Sequence, residues 1–380
     1  MKSYFLYSFA ILSLLFLFGC KQNDVKESTK ISAVANNIKY AKGLELYNFK
    51  GFTVMKVTKP WPEATKEFTY ILKEKNGIIP DSLKEFPVIS VPIQSIVVTS
   101  TTHIPALEML GVESTLIGFP STNFISSTKT RKRIDKGKVR EVGINENLNT
   151  EVLIDMKPNV IVTFGINNNN STIDNLKKSG LNVLINGDWT EQSPLGKAEW
   201  IKFFGALYNL DTKANSLFAS IETNYNKAMA LANETSTKPT VLSGAIYQDQ
   251  WYVPQGQSWA SLFLRDAKAN YLWKETKGFG SLSLPFEKVF EIGQNAEFWI
   301  APGDFTSLKQ MSDSNSHYSK FASFKNKKVY SYAVNKGAKG GIVYFELAST
   351  RPDLVLKDLI KIFHSELLPK YNLFFFKKLE

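Results

Sequence analysis

Residues able to do covalent or metal chemistry are few in this chain. His103, His317 and His364 lie far apart, and Cys20 is the only cysteine. No His/Cys/carboxylate spacing matches a zinc or iron site, so neither a protein-held metal nor a resident cofactor is expected. The motifs Gly-x-Ser-x-Gly, His-Glu-x-x-His and the P-loop are absent from the sequence, so it does not read as an enzyme. What does recur is an aromatic residue at or just beyond a short apolar run: Phe119, Phe164, Trp189, Tyr247, Trp251 and Trp259. Flat aromatic faces suit a large organic or chelate ligand, and Tyr and Trp add a hydrogen bond at the ring edge. Core packing is the alternative for each. Trp189 and Trp251 depart from it most, because Asn186-Gly187-Asp188 and Gln248-Asp249-Gln250 set them among polar residues. Arg131, in the run Arg131-Lys132-Arg133, could neutralise a carboxylate on such a ligand. A solvated basic face has the same appearance. Arg265 and Arg351 are further, weaker candidates.

Short alternating elements must hold these side chains. Residues 44–76 read as three strands separated by Gly51 and by Pro60-Trp61-Pro62, a β-meander. From Ser95 onward, strand-like runs (95–99, 115–119, 160–165, 182–186) alternate with helix-like ones, which argues for a mainly parallel sheet. Residues 120–147 are polar and contain the basic run Arg131-Lys132-Arg133. The alternation restarts with strands at 239–248, 296–303 and 328–334, helices at 258–267 and 285–293, and a last helix over 352–368. Between the two halves, residues 194–232 read as one long helical span. Pro194 suits its first turn, and apolar residues repeat at helical spacing through Trp200, Phe203, Phe204 and Leu207, then Ala214, Phe218, Ile221, Tyr225 and Ala228. Asn209-Leu210-Asp211 interrupts it, with Asp211 placed to cap the second run.

Each half carries an acid in the same context. Glu151 opens a short helix leading into the strand at 160–165, and Glu287 opens one leading into the strand at 296–303. A Glu in a first turn is favoured by the helix dipole alone.

The N-terminus differs from the rest. Lys2 precedes an apolar run over residues 4–18 that ends in Leu17-Phe18-Gly19-Cys20. This pattern reads as an export signal over residues 1–19, too short to span a membrane comfortably. Leu-x-Gly-Cys resembles the bacterial lipobox, which makes Cys20 the expected lipidated residue. Without residues 1–19 the chain keeps 45 basic and 35 acidic residues, a net charge of +10. Its basic residues are spread out and match no nucleic-acid motif, so nucleic acid is not an expected partner. The 43% hydrophobic and 21% charged residues are those of a globular protein, and 380 residues suffice for two cores.

Three stretches together resemble the substrate-binding lipoproteins of ABC importers, the class that captures ferric siderophores, haem or cobalamin. They are IVVTSTTHIPALEMLGVESTLIGFP, VGINENLNTEVLIDMKPNVIVTFG and GSLSLPFEKVFEIGQNAEFWIAPG. The likeness covers about residues 88–368. It departs at Asn159, where an Asp usually follows Lys-Pro, and at Gly340-Gly341-Ile342-Val343, where a Gly-Gly-Asn-Asp-like turn is usual. The resemblance implies an α/β fold of two doubly wound lobes joined by one long helix, here with an added N-terminal β-meander. The implied layout is a signal (1–19), a tether (20–37), an N-terminal lobe (38–193), a linking helix (194–235), a C-terminal lobe (236–368) and a tail (369–380). The implied function is capture of an iron chelate, a ferric siderophore, and its delivery to an inner-membrane ABC permease and its ATPase. The implied protein is a periplasm-facing, lipid-anchored monomer whose ligand brings its own metal. The class also places Glu151 and Glu287 as permease-docking carboxylates. A haem or cobalamin (corrinoid) receptor is the alternative within the class, and a non-transport surface lipoprotein the alternative outside it.

Overall fold

Short β-branched runs and capped helices build two parallel sheets here, and helices of the span between them contribute to the cores of both. The computed structural model of the protein describes residues 36–145, 147–168 and 171–380. The signal, Cys20 and most of the tether lie outside the described residues, as do Asn169 and Asn170. No helix among the described residues is long and apolar enough to cross a membrane.

The expected meander is present. Strands β1 (Leu44–Phe49), β2 (Phe52–Val57) and β3 (Phe68–Lys73) pair antiparallel, with Gly51 in the left-handed region at the first turn. A fourth strand, β4 (Val88–Ser90), joins β3 in parallel from within the proline-rich stretch that reads as irregular in the sequence.

The N-terminal lobe follows, with β5 (Ile96–Val98), α1 (His103–Leu110), β6 (Leu116–Phe119), α2 (Thr128–Asp135) and β7 (Arg140–Glu141). The hairpin β8 (Gly143–Ile144) and β9 (Asn147–Leu148), then α3 (Thr150–Met156), β10 (Val160–Thr163), α4 (Ser171–Lys178) and β11 (Val183–Ile185) complete it. Its sheet is parallel throughout, in the order β11-β10-β5-β6-β7. Strands β5, β10 and β11 are buried along their whole length, so they read as unbroken apolar runs rather than alternating ones. Helix α2 lies within the polar stretch 120–147, to which the sequence assigns no element. It forms because Ser127 caps it, its Oγ accepting the Thr130 amide at 3.2 Å.

The linking span is three helices rather than one: α5 (Pro194–Glu199), α6 (Ile201–Leu207) and α7 (Asp211–Ala232). Asn209 sits at φ 54° and ends α6, and Asp211 begins α7 without capping it. Helix α6 buries Phe203, Phe204 and Leu207 in the N-terminal core, so it belongs to that lobe. Helix α7 is shared. Its buried residues Ala214, Phe218, Ile221, Tyr225, Ala228 and Ala232 are spaced alternately four and three apart, one continuous stripe. The first three enter the N-terminal core and the last three the C-terminal core.

The C-terminal lobe contains β12 (Thr240–Ser243), β13 (Ala245–Tyr247), β14 (Gln250–Pro254), α8 (Trp259–Asp266), β15 (Asn270–Tyr271), β16 (Ser281–Leu284) and α9 (Phe286–Gly293). It continues with β17 (Phe298–Ile300), α10 (Leu308–Ser314), α11 (Ala322–Lys325), β18 (Val329–Ser331), α12 (Val343–Leu347), α13 (Pro352–Phe363) and β19 (Lys377–Lys378). Its main sheet runs β15-β12-β17-β18-β19, parallel except for β19. The single strand expected over 239–248 is broken at Gly244 (φ 79°), which sends β13 into a separate antiparallel sheet with β14 and β16. The tail packs back: Asp358 of α13 accepts the amides of Phe374, Phe375 and Phe376 at 2.6 to 3.1 Å, and Phe375, Phe376 and Leu379 are buried.

Candidate functional site

In each lobe the chain starts its sheet in the middle and later returns to the other side, leaving a crevice beyond the carboxyl ends of the strands where ligands bind in such folds. The two crevices face one cleft. On the N-terminal side, Ser100 and Thr102 follow β5, Phe164 and Ile166 follow β10, and Asp188 and Trp189 follow β11. They line a cavity of about 410 Å³ whose other wall carries Lys197, Trp259, Tyr344 and Phe345. On the C-terminal side a cavity of about 890 Å³ opens beyond β12, β17 and β18. Tyr247, Tyr252, Tyr332 and Phe305 line it, together with the same Trp259, Tyr344 and Phe345. The three shared aromatics make the cavities one aromatic cleft between the lobes.

Charge is scarce in this cleft. Lys197 is its only ammonium or guanidinium group among the described lining residues. Its Nζ is already engaged, donating to the backbone oxygens of Asp188 and Trp189 at 3.2 and 3.0 Å and lying 5.3 Å from the Trp259 ring centre. Burial pushes its pKa down, against the pull of Asp188 and Glu191. The Asp188 carboxylate accepts from Thr102 Oγ1 at 3.0 Å, while Asp304 is exposed at the rim of the larger cavity. Tyr332 stacks on Tyr344 with centroids 4.5 Å apart. Burial pushes the Tyr332 phenol up to about 12 and the Tyr344 phenol higher, so both remain protonated donors.

A second polar layer lies beneath the N-terminal wall. Thr99 Oγ1 donates to Thr163 Oγ1 at 3.0 Å, and the Asn186 amide donates to the Thr163 carbonyl at 2.7 Å. His103 is fully buried beside Phe204, and neither ring nitrogen has a hydrogen-bond partner among the described residues. Burial lowers its pKa, which keeps the ring neutral.

The lobes also touch at one edge of the cleft. Glu346 on α12 accepts the amides of Ser126 and Ser127 from the N-terminal lobe at 2.6 and 2.9 Å. A Cβ on Gly341 would stand 2.1 Å from the Phe124 carbonyl oxygen, and one on Gly337 2.5 Å from Ser126 Cα. The Gly340-Gly341 turn therefore serves this lobe-to-lobe approach.

Of the residues expected to bind ligand, Phe164 and Trp189 line the N-terminal side, Tyr247 the C-terminal side and Trp259 both. Three do not line it. Phe119 ends β6 pointing into the core. Arg131 is buried on α2, where its Nη1 donates to the Thr122 carbonyl at 2.6 Å. Trp251 is 0% exposed: its polar neighbours form the hairpin turn, and β14 turns its ring inward onto Trp299, 5.2 Å away, with Nε1 donating to the Ser243 carbonyl at 3.0 Å. Tyr332, Tyr344, Phe345, Lys197 and Asp304 were not singled out in the sequence. Tyr344 and Phe345 follow the Gly-Gly turn noted there, which is the one local signal that pointed toward them. Glu151 and Glu287 are both exposed, in the first turns of α3 and α9.

The two facing α/β crevices and the shared helix define a two-lobed binding fold. Residues 96–335 match the periplasmic binding protein family, and the chain belongs to it: a binding protein, not an enzyme. An uncharacterised lipoprotein of Methanocaldococcus jannaschii is 28% identical over 95% of this chain and 92% of its own length. A structure described as a possible iron-binding, periplasmic solute-binding protein from Staphylococcus epidermidis aligns with a TM-score of 0.53 at 19% identity, covering 72% of this chain and 99% of the other. A periplasmic haem-binding protein of Vibrio cholerae aligns with a TM-score of 0.53 at 13% identity, over 69% of this chain and 99% of its own. Both structural likenesses are of fold.

Proposed function

We propose that this protein is the lipid-anchored receptor of an ABC importer, capturing an organic iron chelate between its lobes and handing it to a membrane permease and its ATPase. The observation that carries the reading is the cleft at the strand ends of both lobes, walled by aromatic rings and framed by a helix common to both cores. The iron-binding description of the Staphylococcus epidermidis protein supports an iron-bearing ligand. In this reading Cys20 carries the lipid, as the naming of the archaeal relative as a lipoprotein supports. Phe164, Trp189, Tyr247 and Trp259 contact the ligand, and the protein acts as a monomer.

Glu151 and Glu287 are the docking carboxylates. Each stands exposed in the first turn of a helix that leads into the corresponding strand of its lobe, β10 or β17. Each has an exposed isoleucine on the same helix, Ile154 and Ile292, so the acid would sit beside apolar contact area. The double variant Glu151→Lys/Glu287→Lys should retain chelate binding and lose at least tenfold, about 1.4 kcal/mol, of its stimulation of the permease ATPase in proteoliposomes. Undiminished stimulation would remove these residues from docking.

Haem is the second reading, favoured by the haem-binding name of the Vibrio cholerae protein. The cleft offers phenols as iron ligands but no free cation for two propionates among its described lining residues.

A further inference from the structure

We propose that the cleft is matched to an electrically neutral or cationic chelate and discriminates against polyanionic ones, with Asp304 reading positive charge on the ligand. The inference rests on the chelate-receptor reading above and narrows it. An anion moved from water into an apolar cavity loses its hydration, and only a positive partner or several donors at the site restore what is lost. Apart from Lys197, no basic side chain lines the cleft among the described residues. Arg131, the cation the sequence offered, is buried on α2 and bound to the Thr122 carbonyl. Lys197 reaches the cleft wall but is committed to two backbone carbonyls and the face of Trp259, and turning it toward a ligand would strip both carbonyls of this donor.

The carboxylates point the same way. Asp304 stands exposed at the mouth of the larger cavity, beyond β17, and raises the pKa of the nearby Tyr332 phenol. No ion pair to Asp304 occurs among the described residues. Its negative field repels an anion entering from that side and is available to an ammonium carried by the ligand. The remaining wall is aromatic, with Trp189 and Trp259 able to lie flat against the apolar faces of a chelate, and Tyr247 and Tyr252 able to donate to its oxygens. Cation–π attraction favours a positive ligand against such rings further.

The test is intrinsic tryptophan fluorescence of the mature chain, which carries Trp189 and Trp259 in the cleft, titrated with ferric chelates of different charge. The probes are ferrichrome (a neutral trihydroxamate), ferrioxamine B (a trihydroxamate bearing one ammonium), a ferric tris-catecholate of charge −3, and haemin. The two trihydroxamates should bind about 100-fold more tightly than the tris-catecholate and haemin. Asp304→Asn should shrink the preference for ferrioxamine B over ferrichrome by about fivefold, the weight of one partly exposed ion pair. Equal or tighter binding of the tris-catecholate or haemin overturns the charge assignment while leaving the receptor reading intact. An unchanged ferrioxamine-to-ferrichrome ratio in Asp304→Asn removes Asp304 from it. Silence with every chelate, and with cobalamin, ends both readings together.

Discussion

At the scale of single residues, two buried titratable groups set opposite limits on stability. Glu346 lies between the lobes. Burial and the neighbouring Glu108 raise its pKa, the amides of Ser126 and Ser127 lower it, and the balance stands at about 7. Between about pH 4.5 and 7 the folded chain therefore holds more protons at this site than the unfolded chain, so stability falls as pH rises through that window. The span corresponds to a loss on the order of 3 kcal/mol. His103 acts in the other direction. Its folded pKa is depressed by burial, so below about 6.5 the unfolded chain binds the extra proton and stability falls as pH drops. Urea unfolding between pH 5 and 8 should show Glu346→Gln flattening the decline as pH rises towards 7 and His103→Leu flattening the decline as pH falls below about 6.5. The His103 variant should cost little at pH 7, since it removes two buried nitrogens that have no partners among the described residues. Two variants with the wild-type pH profile would show that neither group titrates where its surroundings place it.

At the scale of elements, the N-terminal four-stranded sheet lies outside the matched family region of residues 96–335, yet it braces the cleft. The loop between β2 and β3 reaches both lip segments of the N-terminal wall. Trp61 Nε1 donates to Asn168 Oδ1 at 3.0 Å, beside the lining residue Ile166. Thr190 Oγ1 donates to the Lys59 carbonyl at 3.0 Å, one residue beyond Trp189. Gly187 permits this approach, since a Cβ there would stand 2.6 Å from the Lys59 oxygen. The segment leading into β1 is fastened in turn: Glu199 of α5 accepts the amides of Lys39, Tyr40 and Ala41, and Glu191, just before α5, those of Lys42 and Gly43. Trp61→Phe keeps the bulk and removes the indole N–H. It should cost about 1 kcal/mol of stability and increase protease cleavage near residue 168 relative to wild type. Unchanged cleavage there would show that the contact does not hold the lip.

At the scale of the whole molecule, the lobes are restrained twice. Helix α7 feeds one stripe of side chains into both cores, and the Glu346 contact joins α12 to residues 126 and 127 at the cleft edge. Hinge closure needs a few loop residues free to absorb large changes in φ and ψ, and a helix packed along its length supplies none. Small-angle scattering of the apo protein and of the ferrichrome-loaded protein should therefore superimpose, with Glu346→Ala widening the apo distribution. A compaction of several ångström on loading would mean that the lobes close on a hinge and that the cleft width is not preset.

The sequence by itself determined the elements whose signal is local. The buried runs of β5, β10 and β11, the stripe on α7 and the first-turn acids of α3 and α9 are legible because one segment carries the whole pattern. The matched family agrees with the fold implied by the three stretches resembling importer receptors. Which aromatics face the cleft was decided only by tertiary structure. Trp251 and Trp189 have equally polar neighbours in sequence, but β14 pairs on both edges and turns Trp251 inward, while Trp189 follows β11 at the open end of its sheet. Arg131 and Lys197 were likewise decided by their partners, carbonyl groups on other segments that no spacing could announce. The long span between the halves reads in sequence as one helical stretch broken at Asn209-Leu210-Asp211, because its apolar period resumes on the far side. The left-handed turn at Asn209 gives α6 to one lobe and leaves α7 to join the two, because packing against two cores, not periodicity, decides where a linker begins.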